Sequence, residues 1–137
     1  MSDGSVLIVG AGPGLSASLG RIFKSKGMKI GLAARNTNKL SSIKAELEAE
    51  VFECDSTNKI SVKKLFTETD LKIGTPNLVI YNPSIRIQKP FIEIDSDEMH
   101  QSILVNSFGA FLVAQESAKR MLQRGSGSIF FTGSSAS

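Results

Sequence analysis

Short apolar runs alternate along the chain with segments whose apolar residues recur every three or four positions. The runs are VLIV at 6–9, KIGLAA at 29–34, VFE at 51–53, NLVIY at 77–81 and SIFFT at 128–132. None alternates apolar with polar, so each is predicted to be a strand covered by helices on both faces, which is the condition of a parallel sheet. Ile129 to Thr132 reads in this way as a buried strand, with serines following where it opens into a loop. Helical spacing joins Leu15, Leu19, Ile22 and Phe23, then Leu40, Ile43 and Leu47, then Val62, Leu65 and Phe66. A longer helix is predicted over about 96–123. Asp95 and Glu98 announce it at capping-box spacing, and Gly125 and Gly127 end it. Its apolar residues, Met99 to Leu122, form a band too wide for one neighbour. Strand–helix–strand order with right-handed crossovers specifies an α/β fold: an open, doubly wound parallel sheet of at least five strands with helices on both faces.

The length of 137 residues suits a single domain spanning 1–137, large enough to bury a core without disulfides or metals. The net charge of +3 comes from lysines and arginines spread over every predicted helix. With no aromatic-interleaved basic stripe, nucleic acid is not an expected partner. The single cysteine, Cys54, has no internal partner, and the N-terminus MSDGS lacks the pattern of a signal peptide. A reducing, cytoplasmic setting is the expectation, with no membrane-spanning segment.

The first strand runs into Gly10-Ala11-Gly12-Pro13-Gly14-Leu15-Ser16, where a helix begins at once. Glycines let the backbone approach a pyrophosphate, and the N–H groups and dipole of the helix start attract its charge. In the common G-x-G-x-x-G fingerprint, Gly10 and Gly12 require a third glycine where Leu15 stands. That mismatch also weakens a flavin reading. Gly-x-x-x-Gly-x-small, carried by Gly10, Gly14 and Ser16, is the spacing that fits.

The second strand ends Ala33-Ala34-Arg35-Asn36, where a dinucleotide site normally carries an acid for the ribose hydroxyls. An arginine there suits a ribose bearing a 2′-phosphate, because the guanidinium forks onto it. NADP(H) is therefore expected over NAD(H). The missing acid also counts against S-adenosylmethionine.

Together these residues resemble the short-chain dehydrogenases/reductases, over all 137 residues. The resemblance implies a Rossmann-type fold binding NADP(H) and an oxidoreductase that interconverts a carbonyl and an alcohol. Gly10-x-x-x-Gly14-Leu15-Ser16 is similar to the family's Gly-x-x-x-Gly-Ile-Gly, with Ser16 in place of the last glycine. On that model Gly10, Gly12, Gly14 and Leu15 border the pyrophosphate, and Arg35 with Asn36 holds the 2′-phosphate end. Asp55, after the third strand, resembles the residue that meets the adenine. Asn82 matches one residue of the family's Asn-Asn-Ala-Gly, where Pro83 and Ser84 replace Ala and Gly. Asn106, in Val105-Asn106-Ser107-Phe108-Gly109, inherits the role of an asparagine that holds a water in the proton relay. Ser134 and Ser135 are equivalent on spacing alone, and the resemblance assigns the catalytic serine to Ser134. Homo-oligomerisation through the 96–123 helix is a further implication.

The family's general acid is a tyrosine shortly after this serine, with a lysine four positions on. The sole tyrosine here is Tyr81, on the fourth strand, and no Tyr-x-x-x-Lys follows Ser134. Proton delivery to the carbonyl oxygen needs such an acid, so this chain is expected to be a poor enzyme by itself, the N-terminal part of an active one. A non-catalytic NADP(H)-binding module is the rival reading. His100, among Asp97, Glu98 and Gln101, reads as solvated, and the acids near it lack metal-ligand spacing. Cys54 reads as a structural thiol.

Overall fold

The computed structural model describes residues 4–134. Five strands form one sheet: β1 (Ser5–Val9), β2 (Lys29–Ala34), β3 (Glu50–Glu53), β4 (Leu78–Tyr81) and β5 (Ser128–Phe131). Their order is β3-β2-β1-β4-β5, and every neighbouring pair is parallel. The helices are α1 (Leu15–Ser25), α2 (Ser41–Leu47), α3 (Lys59–Lys72), α4 (Ser96–Ile103) and α5 (Gly109–Arg124). This is an α/β Rossmann-like fold. No helix among the described residues is long and apolar enough to cross a membrane.

The missing alternation in the strands has its cause in two cores. Val6 and Ile8 of β1 pack with Ala17 of α1 and Ile43 and Leu47 of α2. Leu7 and Val9 point the other way, into a cluster with Val62, Leu65 and Phe66 of α3 and Leu112 and Val113 of α5. All five residues of β1 are buried. Each large apolar side chain so buried stabilises the fold by about 1.5–3 kcal/mol relative to exposure.

Two expectations are corrected. The strand read as buried at 129–132 is β5, which ends the strand order and is paired on one edge only, to β4; Ile129 packs toward α5, but Phe130 and Phe131 are 56% and 55% exposed. The predicted long helix reaches Arg124 but is not uniform. Between α4 and α5 lies one π-turn, Leu104–Phe108, in which the Gly109 N–H reaches back five residues to the Leu104 carbonyl. Its ends form as expected. The Asp95 carboxylate accepts from the Asp97 N–H at 3.0 Å, Glu98 reaches back to the Asp95 N–H at 3.3 Å, and Gly125 closes α5 with φ of 83°.

A half-buried charge cluster joins α3 to α5. The Arg120 guanidinium donates to Asp70 at 2.7 Å and to Glu116 at 2.8 Å, and lies 5.1 Å from the centre of the Phe66 ring. Burial pushes the Glu116 carboxyl upward, but hydrogen bonds from Arg120 and Lys119 outweigh it, and the net displacement is below the ordinary carboxylate value. A depressed pKa contributes stability that is present above the unfolded-state value and is lost as pH falls through the folded one. Urea unfolding of Glu116→Gln should therefore show a smaller drop in midpoint between pH 7 and about pH 3 than the unaltered chain shows. An equal drop would remove this cluster from the acid response.

Candidate active site

Strand order reverses on either side of β1: β2 and β3 lie to one side, β4 and β5 to the other. The connections leaving the carboxyl ends of β1 and β4 diverge at this point, which opens the crevice where α/β sheets bind ligands. Gly10 turns the chain out of β1 with φ of 80°, and the Gly10 and Ala11 N–H groups both donate to the Ala33 carbonyl, at 2.9 and 3.0 Å. A Cβ on Gly10 would stand 2.5 Å from the Pro83 nitrogen, so the two loops touch backbone to backbone and only glycine fits. At Gly12 and Gly14 a Cβ would meet nothing within 4 Å, so the fold's own packing does not call for glycine there. Open space lies beside those positions instead. α1 starts next to it with no side-chain cap and no acid in its first turn, which suits an anion.

Asn82 ties this turn to two neighbours. Its amide nitrogen donates to the Gly10 carbonyl at 3.3 Å and to the Ser16 hydroxyl at 3.4 Å, while Thr132 donates to its amide oxygen at 3.0 Å. The buried Ser16 hydroxyl also accepts the Gly12 N–H at 3.0 Å. The serine standing in the last glycine position of the motif thereby acquires a definite task, holding the turn's shape.

A cavity of about 400 Å³ opens over the carboxyl ends of the strands. It brings together Gly10, Arg35, Asp55 and Asn82 of the sequence-predicted set. Gly12, Gly14, Leu15, Asn36, Asn106 and Ser134 do not line it. Leu15, the first residue of α1, is half exposed. Asn36 uses its side-chain oxygen to accept the Asn38 N–H at 3.1 Å, capping the 3₁₀ turn Thr37–Leu40. Ser56, Thr57 and Gln101 line the cavity and were not expected. Ser and Thr after Asp55 carry the signature of a side-chain-stabilised turn, but Gln101 gave no signal, since its place depends on how α4 returns to the sheet.

Each remaining residue has a defined local role. One Asp55 oxygen accepts from the Thr57 N–H at 2.9 Å and the Thr57 hydroxyl at 2.7 Å, which fixes the loop after β3. Burial raises the neighbouring Cys54 thiol, helped by the Asp55 charge and opposed by a bond to Ser61. It stays protonated at neutral pH. The Asn106 amide grips the loop after β4: its oxygen accepts the Ile85 N–H at 3.0 Å, and its nitrogen donates to the Ile85 carbonyl at 2.8 Å and to Ser102 at 3.0 Å. Tyr81 is buried, its hydroxyl donating to the Val105 carbonyl and paired with the Ser56 hydroxyl at 3.1 Å. Burial raises its pKa, and its hydroxyl, committed to Val105 and Ser56 inside the core, is not presented to the cavity as a proton donor. Ser134 is exposed, three residues beyond β5, and Ser135 lies outside the described residues.

The family model for short chain dehydrogenases matches residues 5–137, and the chain belongs to this oxidoreductase family. An uncharacterized oxidoreductase of Staphylococcus aureus is 27% identical over 132 residues, which are 94% of this chain and 57% of that protein. A short-chain type dehydrogenase/reductase from Mycobacterium marinum shares the fold with a TM-score of 0.92 at 24% identity, over 97% of this chain and 56% of the other. A gluconate 5-dehydrogenase from Burkholderia cenocepacia, solved in complex with NADP and tartrate, is 26% identical with a TM-score of 0.86, over 96% of this chain and 53% of that one. The chain spans about half the length of the curated relatives it matches.

The position of Asn82 between three segments makes it a stability determinant as well as a cavity wall. Asn82→Ala should lower stability by about 1–3 kcal/mol, because it strands partners at Gly10, Ser16 and Thr132. Urea unfolding measures this, and an unchanged midpoint would mean that the three segments hold their places without the amide.

Proposed function

We propose that this chain is the cofactor-binding, N-terminal part of an NADP(H)-dependent reductase or dehydrogenase that interconverts a small-molecule carbonyl and an alcohol. The observation that carries this reading is the convergence of Arg35, Asp55, Asn82 and the Gly10 turn on one cavity at the reversal of strand order. The empty space beside Gly12 and Gly14 and the uncapped start of α1 fit a pyrophosphate. Arg35, exposed at the end of β2, would take the 2′-phosphate, with Asn36 beside it, while Asp55 borders the adenine and Leu15 the rim of the phosphate turn. NADP(H), when bound, supplies or accepts the hydride. Asn82 walls the ribose, Ser134 donates a hydrogen bond to the substrate carbonyl, and Asn106 fixes the loop that borders the reacting end.

The described residues include one tyrosine, and it is buried away from this work, so the chain alone is expected to bind the cofactor and turn over substrate poorly. Self-association along the α4–α5 band belongs to the same proposal. Phe108 and Phe111 on that band, 42% and 56% exposed, are the apolar side chains that such a contact would cover.

Fluorescence titration with NADPH and NADH tests the cofactor assignment. Arg35→Ala should weaken NADPH by roughly 10- to 100-fold, the worth of charge-assisted hydrogen bonds to a phosphate, and leave NADH nearly unchanged. Equal weakening of both would remove the 2′-phosphate role from Arg35.

A further inference from the structure

The π-turn at Leu104–Phe108 carries Asn106 and needs a cause. In an α-helix the Gly109 N–H would bond the Val105 carbonyl; here it bonds Leu104 instead and releases that acceptor. A buried carbonyl deprived of its helical partner requires another donor. The Tyr81 hydroxyl, arriving from the end of β4, provides it. The same hydroxyl pairs with Ser56 at 3.1 Å, in the loop after β3 that lines the cavity. Gly109 makes room for this meeting. A Cβ there would lie 2.5 Å from the Tyr81 hydroxyl and 3.0 Å from both the carbonyl and the hydroxyl oxygen of Ser56.

We propose that Tyr81 is a positioning residue for Asn106: by capturing the Val105 carbonyl it holds the π-turn that aims the Asn106 amide at Ile85. The assignment rests on the reading of the crevice as a cofactor and substrate site, and it gives that site a support of its own. The widened turn changes the direction in which residue 106 leaves the helix relative to a uniform α-helix. From there its amide makes both bonds to the Ile85 backbone and sets the loop that walls the cavity beyond Asn82. Ser56 adds a link to the opposite wall. The three groups Ser56, Tyr81 and Val105 therefore join the loop after β3, where the nucleotide end is expected, to the turn at the reacting end.

Tyr81→Phe in the full chain keeps the ring in its core and removes only the hydroxyl. Amide exchange followed by NMR is expected to show the Asn106 side-chain NH2 and the Ile85 N–H exchanging about fivefold faster or more, with β1 amides altered less. Unchanged exchange at Asn106 and Ile85 would overturn the proposal. If Tyr81→Phe does not fold, Tyr81→Leu, which also removes the hydroxyl while keeping an apolar side chain in the core, is read in the same way. A second test uses the contact at Gly109. Gly109→Ala should lower the urea midpoint, and adding Tyr81→Phe should restore part of the loss, because the closest contact of the new methyl is the Tyr81 hydroxyl. Strictly additive losses would overturn the proposal as well. NADPH titration of the same proteins separates the two readings: an unaltered chain that fails to bind NADPH sinks the proposed function, while the exchange and coupling results still decide the role of Tyr81.

Discussion

The structure depends on β1 being buried on both faces and paired on both edges. Its register fixes Val6 opposite Ile30 and Leu78, and Val9 opposite Ala33 and Tyr81, so β2 and β4 are aligned through it. The alternating side chains of this one strand seed both cores, one against α1 and α2 and the other against α3 and α5. Because the chain returns to both sides of β1, the segments leaving β1 and β4 must part just above it. The crevice is thus a consequence of topology before any functional side chain is considered.

What chemistry this crevice can hold is then set by backbone approach. Gly10 and Pro83 come so close that the turn and the loop after β4 form one surface, and Asn82 fastens them together through Gly10 and Ser16. Thr132 extends the connection to the segment that leads into Ser134. The glycine turn after β1 and the segment after β5 therefore share a single amide as their joint.

Most of the strand framework was legible in the sequence, since doubly buried strands leave uninterrupted apolar runs. β5 was the exception. Its composition, Ile-Phe-Phe, matches a covered strand, yet Phe130 and Phe131 are half exposed, because a run reports what a residue prefers and not what stands next to it. Arg35, Asp55 and Asn82 were legible because strand ends and glycine spacing fix their place in the crevice. Asn36, next to Arg35 in sequence, does not line the cavity, and its side-chain oxygen caps a local turn that the strand-end reading did not anticipate. The π-turn left no periodic trace, since one extra residue in a helix of this length is hidden by the width of its apolar band.

The departures from the family's motifs are where sequence and structure inform each other most. Ser16 looked like a small substitution tolerated for packing, but its hydroxyl accepts the Gly12 N–H and meets Asn82. A glycine there could do neither, so the turn of this chain is held by side-chain bonds that the family's motif lacks. Tyr81 likewise stands where the resemblance expects an asparagine, and it answers an acceptor that the helix itself set free. Both substitutions bring a side-chain hydroxyl to the crevice, one in the turn after β1 and one at the end of β4. The geometry of the site consequently rests on a few buried polar bonds, each of which costs more to break than it contributes when made, and that asymmetry is what keeps such a crevice in one shape.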